Sequence, residues 1–390
     1  MKKLVALALV VVMVVALGAF PAASAEETVK FGLITLHDEN STYDWNFISA
    51  AQEACAEMGV ELVLKTGVSE GEDCYETACD LADDGCNVIF ADSFGHEDYM
   101  IRAAKEYEDV EFLHATGCQA QTVNLPNFHD AFASIYEGRY LAGVAAGLKL
   151  QEMIDAGKLT DANYDENGNV KVGYVGAFTY AEVISGYTSW FLGVRSVVPN
   201  TVMSVTFTGS WYDETAEKEG ANTLIASGCA LISQHADSMG APTACETAGV
   251  PDVTYNVSTA EACPNTYVAF SRINWAPYIK YAIECVENGE AIATDWTGTL
   301  ETGSVEYGQY GAAAAEGTEA YVAEVAAKLA SGELKVFDCS KFTVNGAELT
   351  ADDAEYGKYI VDGCFAESVL ASAPAFAAQI DGISLLNQLF

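Results

Sequence analysis

Short apolar runs alternate with helical stripes along the first third of the chain. Strands are predicted at residues 29–36, 61–66, 87–91 and 111–114, with helices at 46–58, 72–83 and 97–106 between them. This alternation is the grammar of βαβ units and a parallel sheet. A longer helix is predicted over 131–150, where Phe132, Ile135, Leu141, Val144 and Leu148 form one stripe. After a polar stretch at 161–171 the grammar restarts. Strands are expected at 172–175, 202–208, 230–233 and 253–257, with helices from Glu182, over 215–227 and over 241–248. A strand at 267–273 and a helix at 275–288 follow, the latter framed by Asn274 as N-cap and Gly289 as terminator. The remainder, 297–390, is less regular apart from a helix at 318–329, and is expected to cover sheet edges. One pattern occurring twice points to two similar α/β lobes.

The predicted strands end in ligand-type chemistry. The first runs into His37-Asp38-Glu39-Asn40-Ser41-Thr42-Tyr43-Asp44, and the third into Asp92-Ser93-Phe94-Gly95-His96. Ligands of open α/β sheets bind where strand carboxyl ends meet helix N-termini. Tyr43, Phe94, Phe178, Trp211 and Trp275 all fall at or just past such ends, among polar residues. Flat rings beside hydrogen-bonding groups suit a planar or sugar-like guest, with Asp38, Asp44 or Asn256 available for its edge.

Composition narrows the class. With 18 Lys and Arg against 56 Asp and Glu, the formal net charge is −38. That charge argues against nucleic acid as a partner and disfavours polyanionic ligands. Lys2 and Lys3, an apolar run over 4–20 and the small residues Ala23 and Ala25 read as a secretion signal over 1–25, with an uncleaved anchor as the rival reading. The first cysteine is Cys55, so no lipid anchor is expected at a signal-peptide cysteine. Cys74, Cys79 and Cys86 match no paired zinc spacing, and the calcium-like run from Asn163 to Gly168 lacks its twelfth-position Glu, where Tyr174 stands. No metal or cofactor is expected. His235 with Asp237, or His129 with Asp130, has the residue types for acid–base work, yet no nucleophile turn or phosphate-binding loop accompanies them. Catalysis is not expected.

Four segments make the chain recognisable: Tyr136-Glu137-Gly138-Arg139-Tyr140-Leu141-Ala142-Gly143, Val172-Gly173-Tyr174-Val175-Gly176-Ala177-Phe178, Glu182-Val183-Ile184-Ser185-Gly186, and Gln234-His235-Ala236-Asp237-Ser238. In order and spacing, over nearly all of 28–300, the chain resembles the basic membrane protein family, substrate-binding components of ABC importers related to the purine nucleoside receptor. The resemblance implies an α/β, type I periplasmic-binding-protein fold with two Rossmann-like lobes joined by three hinge crossovers. It divides the chain into lobe one, 26–128 and 268–298, and lobe two, 129–267 and 299–390, with hinges near 127–130, 262–269 and 298–303. It places Tyr43 on one face of a bound purine and Phe178 on the other, with Ser93, Phe94, Trp211, Asp237 and Asn256 on ligand-facing loops. The loop over 38–46 departs from the receptor's Asp-x-x-Phe-Asn pattern, which leaves bases, nucleosides, flavin-like heterocycles and sugars open. The implied role is an exported solute-binding protein that delivers a small molecule, a purine base or nucleoside first, to an ABC permease in the membrane. A sensory binding protein and an exported nucleoside hydrolase are the alternatives.

Overall fold

The computed structural model describes residues 29–388. The expected signal segment, 1–25, lies outside the described residues. Two parallel sheets form the frame. The first has strand order β2 (Glu61–Lys65), β1 (Lys30–Ile34), β3 (Val88–Ala91), β4 (Glu111–Ala115), β5 (Phe128–Ala133) and β11 (Asp295–Gly298). The second runs β15 (Ile383–Leu385), β7 (Thr201–Phe207), β6 (Val170–Gly176), β8 (Ile232–Gln234), β9 (Asp252–Tyr255), β10 (Tyr267–Ile273) and β12 (Val305–Gly308). Every pairing in these sheets is parallel except β10 with β12. Each sheet therefore winds outward from its first strand in both directions, which creates a switch point between β1 and β3 and another between β6 and β8.

Helices cover both faces. In the first half, α1 (Thr42–Met58) and α9 (Ala276–Asn288) pack together on one side. On the other side lie α2 (Glu72–Asp83) and α3 (Glu97–Glu106), while the single turn α4 (Ala120–Val123) precedes β5. In the second half α5 (Ile135–Asp155) and α6 (Ala181–Val197) cover one face, and α7 (Glu214–Ala226) and α8 (Gly240–Ala248) the other. Burying both faces explains why the strand runs are continuously apolar rather than alternating. The C-terminal segment adds α10 (Thr318–Ala330), a small hairpin of β13 (Ile360–Val361) and β14 (Cys364–Phe365), and finally β15. Its Phe337, Phe342, Phe365 and Phe376 join the core of the second sheet, so it extends that core rather than building another. The fold is the type I solute-binding arrangement expected.

Strand membership moves two of the expected boundaries. Residues 128–133 form β5 of the first sheet, where the pattern predicts a helix from 131, and β10 belongs to the second sheet, where the family resemblance implies that 268 opens the last part of lobe one. The chain accordingly passes between halves at Ser134, at Asn274 and between Gly298 and Val305. The cause is composition: β5 carries His129 and Asp130 within its buried run, and these polar residues break the apolar signature of a central strand. The N-cap of α9 is Trp275 rather than the expected Asn274, which stands one residue earlier with its Oδ1 accepting from Ala276 N at 3.1 Å; Gly289 ends that helix at φ 66°. The turn at Asn163–Gly168 is a polar turn in which Asp165 accepts from the backbone of Asn167 and Asn169.

Candidate functional site

The carboxyl ends of the two sheets face one another across a narrow cleft. Its walls come from the loops after β1 (Leu36, His37) and β3 (Ser93, Phe94), the first turn of α1 (Tyr43, Asp44), and Thr116 after β4. The opposite wall is Glu182 in the first turn of α6, Trp211 after β7, and His235 and Asp237 after β8. The cleft thus lies at both switch points, where a bound molecule meets loop residues from several strands.

Local structure explains how the first wall is aimed. Helix α1 begins at Thr42, earlier than the expected 46, because Ser41 caps it: Ser41 Oγ accepts from Asp44 N at 3.3 Å. Tyr43 and Asp44 therefore ride a rigid helical turn. The Tyr43 hydroxyl donates to Asp92 O at 2.9 Å, which locks the ring beside β3. Asp44 is held by His37 N at 2.7 Å and by the Ser41 hydroxyl. Burial works against its ionisation, yet hydrogen bonds from His37 and Ser41 outweigh this and hold its carboxyl below the usual range. Asp92 and Asp237 behave oppositely. Burial, reinforced by the nearby Asp44 charge, pushes both well above the ordinary carboxylate value. Asp44 is thus biased toward the carboxylate, while Asp237 in the cleft wall and Asp92 behind it are biased toward the protonated acid, a mixture of acceptor and donor character for a polar, uncharged guest.

The second wall rests on a buried chain of hydrogen bonds. Arg139 Nη2 donates to the Tyr174 hydroxyl and, at 2.9 Å, to Gln234 O. Tyr174 lies 3.4 Å from His235 Nδ1, and His235 Nε2 lies 3.4 Å from Glu182 Oε1. Burial lowers the His235 pKa against the pull of Glu182, which keeps the ring neutral. With Tyr174 donating to Nδ1, Nε2 carries the hydrogen and turns Glu182 toward the cleft. Asp237 is set from behind by Asn256 Nδ2 at 3.3 Å, and Asn256 itself accepts from Asn46 Nδ2 at 3.0 Å.

The candidate residues divide accordingly. Tyr43, Asp44, Ser93, Phe94, Trp211 and Asp237 meet at the cleft. Phe178 does not line it directly; its ring stacks on Tyr180 at 5.3 Å and meets the edge of Trp211 at 5.2 Å, so it backs the Trp211 wall. Asn256 is a buried support for Asp237. Asp38 borders an adjoining groove with Asn40, Thr66 and Tyr212, which shares Leu36 and His37 with the cleft. Trp275 is a correction: at 1% exposure it stacks on Phe47 at 4.4 Å inside the first core, because it occupies the N-cap of α9, which packs inward against α1. Leu36, His37, Thr116 and Glu182 line the cleft as well, and so does His235, which the sequence offers only as half of an acid–base pair with Asp237. For Glu182 and His235 the signal was present, since both stand in segments that carry the family resemblance and His235 directly follows β8.

The two halves also touch around the cleft. Thr42 N donates to Asp237 O at 2.9 Å, and ring pairs Phe94–Tyr180 and His37–Tyr212 each lie 5.7 Å apart across the mouth.

This architecture, two doubly wound lobes gripping a cleft through three crossovers, defines a type I solute-binding protein. Residues 35–336 match the family described as ABC transporter substrate-binding protein PnrA-like, and the chain belongs to that family. The purine-binding protein BAB2_0673 of Brucella abortus is 29% identical over 321 residues, 81% of this chain and 85% of that protein. A Haloferax volcanii protein named "Putative ABC transporter glucose-binding protein TsgA13" is 30% identical over 256 residues; the match covers 66% of this chain and 60% of that relative. Among solved structures, an ABC transporter solute-binding protein of Conexibacter woesei superposes with a TM-score of 0.64 at 19% identity, covering 79% of this chain and 98% of that one. One from Aeropyrum pernix reaches 0.65 at 16% identity, covering 79% and 93%. Members of this family are non-enzymatic and work outside the cytoplasm, binding a small molecule for an ABC permease. No helix among the described residues is long and apolar enough to cross a membrane.

Proposed function

We propose that this chain captures a purine base or nucleoside between its two lobes and presents it to an ABC permease. The observation that carries the reading is the lining of the cleft: Tyr43, Phe94 and Trp211 supply flat faces, while Asp44, Glu182, His235 and Asp237 supply hydrogen-bonding groups of both senses. A purine offers both ring faces for stacking and alternating donors and acceptors on its edge, and a ribose adds hydroxyls for carboxylates. The deep negative charge of the chain disfavours a phosphorylated guest, so base or nucleoside fits better than nucleotide. Similarity to BAB2_0673, named for purine binding, supports the same choice. A sugar is the second reading, favoured by carboxylates beside aromatic rings and by similarity to TsgA13, named for glucose. The lobe division behind this proposal is 29–133 with 275–298 on one side and 134–274 with 299–388 on the other.

Isothermal titration with adenine, guanosine, inosine and glucose tests the reading. Saturable binding of one purine per chain with no glucose signal is expected; tight glucose binding with no response to any purine would assign the cleft to sugars.

A further inference from the structure

We propose that the loop after β4 is built around a divalent transition-metal ion, held by Glu97, His114 and Asp130, with Zn2+ as the best fit to the donors. His114 and Asp130 are direct register partners on β4 and β5, and Glu97 opens α3. All three are buried, and one ligand atom from each lies within 4.8 Å of the others.

The hydrogen bonding leaves a gap that a cation fills. His114 Nε2 is 2.7 Å from Ser93 O, which can only accept, so Nε2 carries a hydrogen and, in the neutral ring, Nδ1 presents its lone pair. That lone pair faces Asp130 Oδ1 at 3.8 Å, too long for a hydrogen bond, and neither atom has a partner among the described residues. The carboxylates are also held from outside: Asp130 Oδ2 accepts from Ala120 N at 2.8 Å, Glu97 Oε1 from the backbone of Cys118 and Gln119 at 2.7 Å each, and Glu97 Oε2 from Gln119 Nε2 at 3.0 Å. These bonds leave Asp130 Oδ1 and His114 Nδ1 as the unpartnered donors and fix Glu97 Oε1 beside them with lone-pair capacity to share, as second-layer contacts do around bound metals. Among the described ion pairs, no Lys or Arg meets any of the three.

The donors converge on one point. A Cβ placed on Gly117 would lie 2.1 Å from Asp130 Oδ1, 2.5 Å from His114 Nδ1 and 2.7 Å from Glu97 Oε1. Since that point is roughly 1.5 Å from the Gly117 Cα, a shared ion sits just beyond it, reached by a small inward shift of the carboxylates. Glycine alone leaves this approach open. One imidazole and two carboxylates, with water completing a tetrahedron, suit Zn2+; Ca2+ asks for six or more oxygens. The ion would tie β4, β5 and α3 together directly beneath Ser93 and Thr116, both of which line the ligand cleft.

The test uses chelator-stripped full-length mature protein, reloaded with Zn2+ or Mn2+ and desalted. Metal content by mass spectrometry and the melting temperature are read for wild type, Asp130→Asn and Gly117→Ala. One equivalent of Zn2+ or Mn2+ with a raised Tm is expected for wild type. Both variants should fold, by circular dichroism, yet retain no stoichiometric ion. Gly117→Ala keeps all three donor groups but sets a Cβ against them, so loss of uptake in a variant that still folds separates a site that needs their convergence from a merely acidic one. Absence of uptake of either ion by wild type, or equal uptake by the variants (as at thiols), would overturn the site.

Discussion

Trp211 and Trp275 show how one residue type takes opposite parts. Trp211 borders the cleft after β7, with Phe178 and Tyr180 against it. Trp275 fills the core among Phe47, Phe90 and Phe132. Trp211→Ala should weaken ligand binding roughly tenfold or more, about 1.4 kcal/mol, with little change in melting temperature. Trp275→Ala should do the reverse, costing about 3–5 kcal/mol of stability. Titration calorimetry and chemical denaturation on the two variants check both halves of the expectation. In the sequence the pair looked alike, since each ring follows an apolar run among polar neighbours. Helix α9 decides the matter by turning Trp275 inward, and no local pattern announces that direction.

At the level of elements, the helix pair α5 and α6 sets the frame of the second lobe, and it packs backbone against backbone. A Cβ on Gly143 would fall 2.0 Å from Trp190 O, and one on Gly193 would fall 2.2 Å from Tyr140 O. Small residues at the crossing are therefore obligatory. The same approach brings Arg139 of α5 within reach of Tyr174 and Gln234, so packing and the hidden support of the cleft are coupled. Gly143→Ala should force the helices apart at about 1–3 kcal/mol, seen as a lower urea midpoint, and should also loosen the His235–Glu182 wall. An unchanged midpoint would show that the crossing yields more than this geometry allows. The alternation of strands and helices made most of these elements legible, including the second lobe's repetition of the first. What it misplaced was β5, where His129 and Asp130 interrupt an otherwise apolar strand.

Across the whole molecule, buried carboxyl groups impose a direction on stability against pH. Burial pushes Glu217 and Glu367 up to about 7 from 4.5, and Asp252 up to about 8 from 3.8. With the folded value raised, the native state holds protons that the unfolded chain has released. Stability is then fullest below about 4.5 for the two glutamates and declines as pH rises through about 7, by roughly 3 kcal/mol for each at most. Denaturation midpoints should fall between pH 5 and 8, and Glu217→Gln should flatten part of that fall. A slope identical to wild type would remove Glu217 from the account.

Periodicity was enough to establish an α/β chain of two similar lobes, because alternation of burial and polarity is a local property of each strand and helix. Strand ends rich in rings and carboxyl groups were equally visible, and so was the family, since its segments keep their order. Convergence was not visible. Glu182 and Trp211 stand opposite Tyr43 only because the two sheets face each other across the crossovers, and Trp275 is carried into the first core by the same packing. Distances between residues far apart along a chain belong to the fold, and the ligand meets the residues through those distances.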